Sequence, residues 1–356
     1  MTAGELKAFL EELKNEQGFS LAGWSPLEKP LSLDLYRQWL AENRHGEMKY
    51  LEEHLPVKEN PQSRFPFARS ALVFAVPYRP HPEPREWSRS PLRIASYAHG
   101  ADYHFWFRDR LRALIPRLKE KFPEAEFEAH TDSSPLLERD LAVRAGLGWV
   151  GKNTCVIHPK AGSFFLLGEI LTSLEFGDEA APLLDFCGTC TRCLDVCPTQ
   201  ALVEPRKLDA RRCLSYLSIE SRQLPPEELR DKWGDWFFGC DLCQSVCPWN
   251  QKPFRPSARD QQILANIEWD EEVLLLEELR RILTSSGKGL ERLFQGSPLL
   301  RAGPFGLKRN ALMVAAHRGL DVLRPEIEAL QDHERLGELA RWALNKLGAA
   351  EATPPH

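Results

Sequence analysis

The chain has 356 residues, which suggests two or three domains. Its hydrophobic content of 43% is ample for packed cores, and its net charge of −5 excludes a global basic field pulling it onto nucleic acid. No apolar run approaches membrane-spanning length, and the N-terminus from Met1 to Leu6 lacks the basic and apolar regions of a signal peptide.

Thr2 and Glu5 have the spacing of a capping box, and Leu6, Phe9, Leu10 and Leu13 follow at helical spacing. A second helix is predicted through Leu35, Tyr36, Trp39 and Leu40, ending at Arg44-His45-Gly46, with a short helix near 48–53. Residues 54–68 are Pro-rich and read as irregular. Ala71–Val76 reads as a buried strand stopped by Pro77, and 77–91 as a surface loop. Residues 92–104 read as a strand, a Gly turn and a helix entrance. Phe107, Leu111, Leu114, Ile115 and Leu118 then share a helix face. Ala125, Phe127 and Ala129 alternate, predicting a strand that delivers Asp132 at its end. Ser134-Pro135 opens the next helix, which ends at Ala145-Gly146. Residues 155–157 and 163–172 read as a strand pair around a turn at 158–162. No G-x-G-x-x-G follows a strand, so a nicotinamide-binding unit is unsupported, and there is no P-loop.

Eight of the nine cysteines lie between Cys187 and Cys247. Cys187, Cys190, Cys193 and Cys197 have the C-x2-C-x2-C-x3-C-P spacing of a bacterial iron–sulfur run. Cys240, Cys243 and Cys247 repeat its end, and Cys213 can supply the missing member. Three cysteines on a turning loop reach three irons of one cube, while the fourth reaches the other cluster. One [4Fe–4S] cluster is therefore assigned to Cys187, Cys190, Cys193 and Cys247. The second takes Cys213, Cys240, Cys243 and Cys197. Zinc sites use two C-x2-C pairs, which leaves cysteines over, and disulfides need an oxidising compartment. Thiol ligands without an export signal point to a reducing cytoplasm. Segment 214–239 must be an insertion in the cluster domain. Cys155 is surplus and reads as a small buried residue.

After Pro248 the pattern is helical, at 273–283, 290–294, 305–317, 322–330 and 336–347. Arg309–Leu312 and Arg341–Leu344 look like one position in two helix pairs, a weak repeat of HEAT-like length. A plain helical bundle accounts for the pattern equally well.

Three further places carry chemistry. Asp132 stands where a strand meets a helix, either as the helix cap or as a carboxyl whose pKa would rise in a dry pocket and let it deliver a proton near neutral pH. Tyr103 and His104 form a second pair, read as core partners or as catalytic ones. Gly146, Gly148 and Gly151 permit close backbone approach beside Lys152 and Asn153. Residues 297–320 hold Arg301, Lys308, Arg309 and Arg318 and no acid, a local positive stripe that reads either as a phosphate contact or as a solvated face.

Taken together, residues 131–139, residues 145–153 and the double cysteine motif resemble the epoxyqueuosine reductase family over essentially the whole chain. Ser133-Ser134 replace other small residues usual there. The resemblance implies an α+β multidomain fold. It comprises a nitroreductase-like α/β layered cobalamin-binding domain (1–175), a ferredoxin-like domain with two [4Fe–4S] clusters (176–256), and a helical HEAT-like domain (257–356). It implies reduction of epoxyqueuosine to queuosine at the wobble position of a tRNA anticodon. The cofactors would be two [4Fe–4S] clusters and a cobalamin, which as cob(I)alamin is strongly reducing. Asp132 matches the family's proton donor, and Tyr103 and His104 match pocket residues. Lys152, Asn153, Ser215 and Asp241, with Asp132, would line the cobalamin. The D-x-H-x-x-G motif is absent, since Phe105-Trp106-Phe107 follow His104, so no histidine is expected below the cobalt. Arg301, Lys308 and Arg309 would grip the anticodon stem-loop. The partners implied are that RNA and an external electron donor, with no membrane, for a cytoplasmic monomer. A corrinoid reductive dehalogenase and an electron-transfer iron–sulfur protein are the other readings. The first usually carries a twin-arginine signal, and the second needs neither flanking domain.

Overall fold

The computed structural model describes residues 2–78, 91–176, 184–251 and 271–351. Most of the expected loop 77–91 and the expected domain border at 256/257 lie outside them.

The capping box forms as its spacing predicts. Thr2 Oγ1 accepts the Glu5 N–H at 3.2 Å, and the Glu5 carboxylate accepts the Thr2 N–H at 2.7 Å. The helix Ala3–Glu16 buries Leu6, Phe9, Leu10 and Leu13. It lies on a four-stranded antiparallel sheet whose strands run in the order Leu21–Pro26, Ser70–Pro77, Phe165–Thr172, Phe127–His130. Alternation along Ser70–Pro77 serves both faces of the sheet. Leu72, Phe74 and Val76 pack with that helix and with Phe107 and Leu111 of helix Tyr103–Arg112. Ala71, Val73 and Ala75 pack with Leu141 and Ala142 of helix Glu138–Arg144 on the other side. The result is a helix–sheet–helix layer.

Three local expectations change. Residues 54–68 contain a helix Leu55–Glu59 and a 3-10 turn Pro61–Ser63. The helix after Asp132 begins at Glu138, not at Ser134. Val156–Ile157 pairs with Trp149–Val150, while Phe165–Thr172 joins the main sheet between two distant strands. Sequence proximity favoured the wrong partner, because pairing is decided by which edge is open in three dimensions.

The insertion 214–239 folds as helix Leu214–Ile219, helix Glu227–Arg230 and strand Trp236–Phe238. Its Leu217, Trp233 and Phe237 share one core with Leu279, Leu312, Leu339 and Ala343 of the C-terminal helices. The helical segment is thus anchored on residues threaded between the cysteines.

Arg309 is expected in a phosphate-binding stripe, and the structure corrects this. Its side chain is 0% exposed. Nη1 donates to the carbonyls of Ser221 (2.7 Å) and Gln223 (3.0 Å), and Nε to Asn310 Oδ1 (3.0 Å). Asn310 Nδ2 in turn donates to Ser218 O at 2.8 Å. Arg309 ties helix Gly303–Arg318 to the insertion and presents nothing to a phosphate. Lys308 is half-buried and donates to Leu283 O at 2.7 Å. Arg341, by contrast, is exposed and donates to Gln331 O at 2.6 Å, so the two suggested repeat positions do different work. Arg309→Ala leaves two carbonyls without donors and a cavity behind. It is expected to lower stability by roughly 3 kcal/mol, read as a fall in Tm, with the salt dependence of RNA binding unchanged.

Candidate active site

Asp132 follows the edge strand Phe127–His130, as its sequence position predicts. It is not a helix cap, because helix Glu138–Arg144 starts six residues on with no side-chain cap. Asp132 adopts a left-handed φ of 52°, at the centre of a tight turn in which Ser133 N–H donates to Thr131 O at 2.5 Å. Thr131 Oγ1 fixes the strand side of the turn on Leu167 O at 2.9 Å. The Asp132 main-chain N–H is taken by the Glu138 carboxylate.

Helix Tyr103–Arg112 points its first turn at this loop. Asp102 caps it, accepting the His104 N–H at 3.0 Å and facing His104 Nδ1 at 2.6 Å. His104 Nε2 reaches Asp132 Oδ2 at 2.9 Å, and the Tyr103 hydroxyl donates to the same oxygen at 2.7 Å. The two rings stack with centroids 4.2 Å apart. Consecutive residues thus converge on one carboxylate oxygen.

The Asp132 side chain is 54% exposed to solvent yet surrounded by many protein atoms, as at the mouth of a hollow. Burial pushes its carboxyl up. The bonds from His104 and Tyr103 outweigh this and hold it below the ordinary carboxylate range. The expected rise in the pKa of Asp132 therefore does not occur. Burial works against a charged His104, but Asp102 and Asp132 raise it to about 9. At neutral pH the pair keeps its proton on His104, across one hydrogen bond from Asp132.

Beneath the loop lie acids that sequence reasoning missed. Burial, then the charge of Asp132, lifts Glu138 to about 8. Glu169 is 0% exposed in the central strand, with neither carboxyl oxygen bonded to any described group. Burial, with Glu138 and Asp132 nearby, holds it well above the ordinary range. Lys58, 6% exposed, stands in the same cluster and donates to Leu136 O at 3.0 Å. One sign was legible: a lone acid in the apolar run 164–171 must be paired or neutral.

The other predicted residues lie beside the cysteines. Asp241, 4% exposed, accepts from Ser96 N–H (2.7 Å) and Ser96 Oγ (2.6 Å). The next residue, Tyr97, packs edge-on against Tyr103 with centroids 6.0 Å apart. Lys152 and Asn153 are spent on the cysteine loops. Lys152 Nζ donates to Gly188 O (2.6 Å) and Cys190 O (2.9 Å), and Asn153 Nδ2 to Cys243 O (3.3 Å). Their side chains brace the loops rather than line an open hollow. Ser215 is half-buried in the first turn after Cys213.

The cysteines fall into two groups. Burial and then Cys187, Cys247 and Cys190 raise Cys193, and Cys247 responds to Cys187 and Cys190. Burial and then Cys213 and Cys197 raise Cys240, and Cys243 senses Cys155, Cys213 and Cys240 ahead of Cys193. In a cubane each thiolate sits on a different iron. Crowded, half-buried thiols ionise together only around a cationic core, so the donor set fits iron–sulfur clusters.

Arg301 remains exposed at 55%, bonded to Glu220 at 2.9 Å, with its guanidinium 5.7 Å from the Tyr50 ring centroid. Both Arg301 and Tyr50 feel the charge of Asp132, so this cluster stands near the hollow. A separate cleft of about 540 Å³ in the helical segment is lined by Arg222, Phe305, His333, Arg335 and Arg341. No helix among the described residues is long and apolar enough to cross a membrane.

Residues 186–250 match a family model described as a 4Fe-4S double cluster binding domain, and residues 58–133 match one described as Epoxyqueuosine reductase QueG, DUF1730. A curated epoxyqueuosine reductase of Xanthomonas campestris pv. campestris is 35% identical over 96% of this chain and 96% of that protein. One from Pseudomonas aeruginosa is 36% identical over 95% of this chain and 94% of its own length. A crystal structure of epoxyqueuosine reductase with a tRNA-Tyr epoxyqueuosine-modified tRNA stem loop aligns with a TM-score of 0.79. It is 29% identical and covers 98% of this chain and 91% of that one.

Proposed function

The chain belongs to the epoxyqueuosine reductase family, and from that premise we propose that it reduces the epoxide of epoxyqueuosine in a tRNA anticodon to the alkene of queuosine. The balance is one epoxide, two electrons and two protons giving one alkene and one water. The observation that carries the reading is the proton-holding pair Asp132–His104, linked through Tyr103, Tyr97 and Ser96 to Asp241 beside Cys240. An acid and an electron supply meet at one hollow.

Cys187, Cys190, Cys193 and Cys247 hold the outer [4Fe–4S] cluster, beside exposed Leu184 and Phe186, where an external donor delivers electrons. Cys213, Cys240, Cys243 and Cys197 hold the inner one. Clusters pass electrons singly, so a further group must accept them and act on the epoxide. A cobalamin would supply that group: it would lie beside Asp132 and Tyr103, while His104, committed on both ring nitrogens to Asp102 and Asp132, would not be free to hold it. When bound, the cobalamin supplies a strongly reducing metal centre. Asp241 and Ser215 would flank it, and Lys152 and Asn153 would support it through the cysteine loops they brace. In this reading the layered N-terminal part is the nitroreductase-like unit (1–175), followed by the ferredoxin-like (176–256) and HEAT-like (257–356) units.

His104 passes its proton across 2.9 Å to Asp132, which relays it to the leaving oxygen. Tyr103 fixes the carboxylate oxygen. An anticodon loop presents unstacked bases, so the wobble nucleotide can enter the hollow. Arg301 and Tyr50 at its edge meet phosphate and base.

The test is conversion of epoxyqueuosine-containing tRNA by protein loaded anaerobically with iron, sulfide and cobalamin, read by mass spectrometry of nucleosides. His104 is protonated below its raised pKa, so turnover should hold at neutral pH and fall as pH rises toward and through about 9. Loaded protein that leaves the epoxide intact rules the reading out.

A further inference from the structure

Asp132 needs holding. A left-handed φ in a residue with a Cβ costs roughly 1 kcal/mol and relaxes unless something fixes it. The group that fixes it comes from below. Glu138 stands in the first turn of its own helix, yet its carboxyl turns back and accepts the Asp132 N–H. Under it, Glu169 projects from the central strand on the same face as Leu167 and Leu171, the face that helix Glu138–Arg144 covers. Nothing in sheet packing calls for a carboxyl with no partner at that position.

We propose that Glu138, backed by Glu169, is a positioning residue that latches Asp132 in the site by accepting its main-chain N–H. This rests on Asp132 being the acid. The charge arrangement explains why the latch is a carboxyl pair beside a third acid. Around Glu138 stand Asp132, Glu169, Lys58 and Arg139. Asp132 carries one negative charge opposite the protonated His104. Two more negative charges below it would push the loop outward, so Glu138 and Glu169 hold protons at neutral pH. A neutral carboxyl still accepts through its carbonyl oxygen. The latch weakens when Glu138 ionises, at about 8, because it then repels the carboxylate whose backbone it holds.

A glutamine keeps the accepting oxygen and cannot ionise. Glu138→Gln should therefore retain kcat within about threefold and hold its rate to higher pH than the wild type. Glu138→Ala and the shortened Glu138→Asp should each lower kcat by about 100-fold with KM for tRNA unchanged, the cost of a misplaced acid. Iron and cobalamin content confirm that each variant is loaded. If alanine compromises folding, the aspartate variant and the pH profile of the glutamine variant carry the test. Full activity in Glu138→Asp, or Glu138→Gln as impaired as Glu138→Ala, overturns the latch. Asp132→Asn in parallel separates the two claims. Should it be active, the acid assignment itself falls; should it be dead while Glu138→Ala works, only the latch does.

Discussion

Asp132→Asn is expected to lower kcat by about a thousandfold while leaving both clusters and tRNA affinity intact. The amide keeps an oxygen that accepts from Tyr103 and His104, so the loop stays where it is. It cannot carry a proton to the departing oxygen. It also removes one of the two carboxylates that raise His104, leaving Asp102 on the other ring nitrogen. One substitution therefore removes the deliverer and weakens the store. The readout is single-turnover conversion at saturating enzyme, which isolates chemistry from RNA binding. A variant that turns over normally would remove Asp132 from the reaction, and His104 would have to deliver directly.

The placement of the candidate residues was legible in the sequence where their geometry is local. Cysteine spacing encodes which thiols share a loop. Asp132 was legible as the end of an alternating strand, and Tyr103 and His104 as a helix entrance. What stayed hidden depends on long-range packing. The charge of Arg309 says nothing of burial, and only the fold shows three residues, Ser221, Gln223 and Asn310, taking its donors. The pKa expectation for Asp132 assumed a lone carboxyl in a dry pocket, whereas its partners arrive from a helix some thirty residues earlier. Lys152 looked available beside glycines; its target carbonyls, Gly188 and Cys190, lie on a loop the sequence does not place next to it. Glu169 announced itself as an acid in an apolar strand, but its relation to Glu138 required the sheet register.

Those long-range links also explain why the cluster segment is interrupted. The insertion 214–239 brings Cys213 and Cys240 together from opposite ends, and its core residues Trp233 and Phe237 are shared with the C-terminal helices. The C-terminal helices and the insertion between Cys213 and Cys240 are thereby one packed body. Arg301 bonds to Glu220, at the end of the helix that starts after Cys213.

Cys197→Ser is expected to abolish turnover and to cut iron from about eight to about four per chain. The loss should fall on the inner cluster. Cys197 follows Cys193 by four residues but faces the other group, adding its charge to Cys213 and Cys240. Its sulfur accepts the Ala201 N–H at 3.3 Å and lies 3.6 Å from Thr199 Oγ1, bonds that favour a ligated thiolate. Cys247→Ser is the mirror experiment and should cost the outer cluster, because Cys247 senses Cys187 and Cys190. In each variant the surviving cluster is identified by its reduced electron paramagnetic resonance signal. An inner cluster alone would still accept electrons from dithionite and support slow conversion. An outer cluster alone would take up electrons and pass none to the hollow. The crossed ligation thus predicts unequal rates for two substitutions that remove the same amount of iron. Equal loss of one and the same signal from both variants would show the fourth cysteines staying with their own loops.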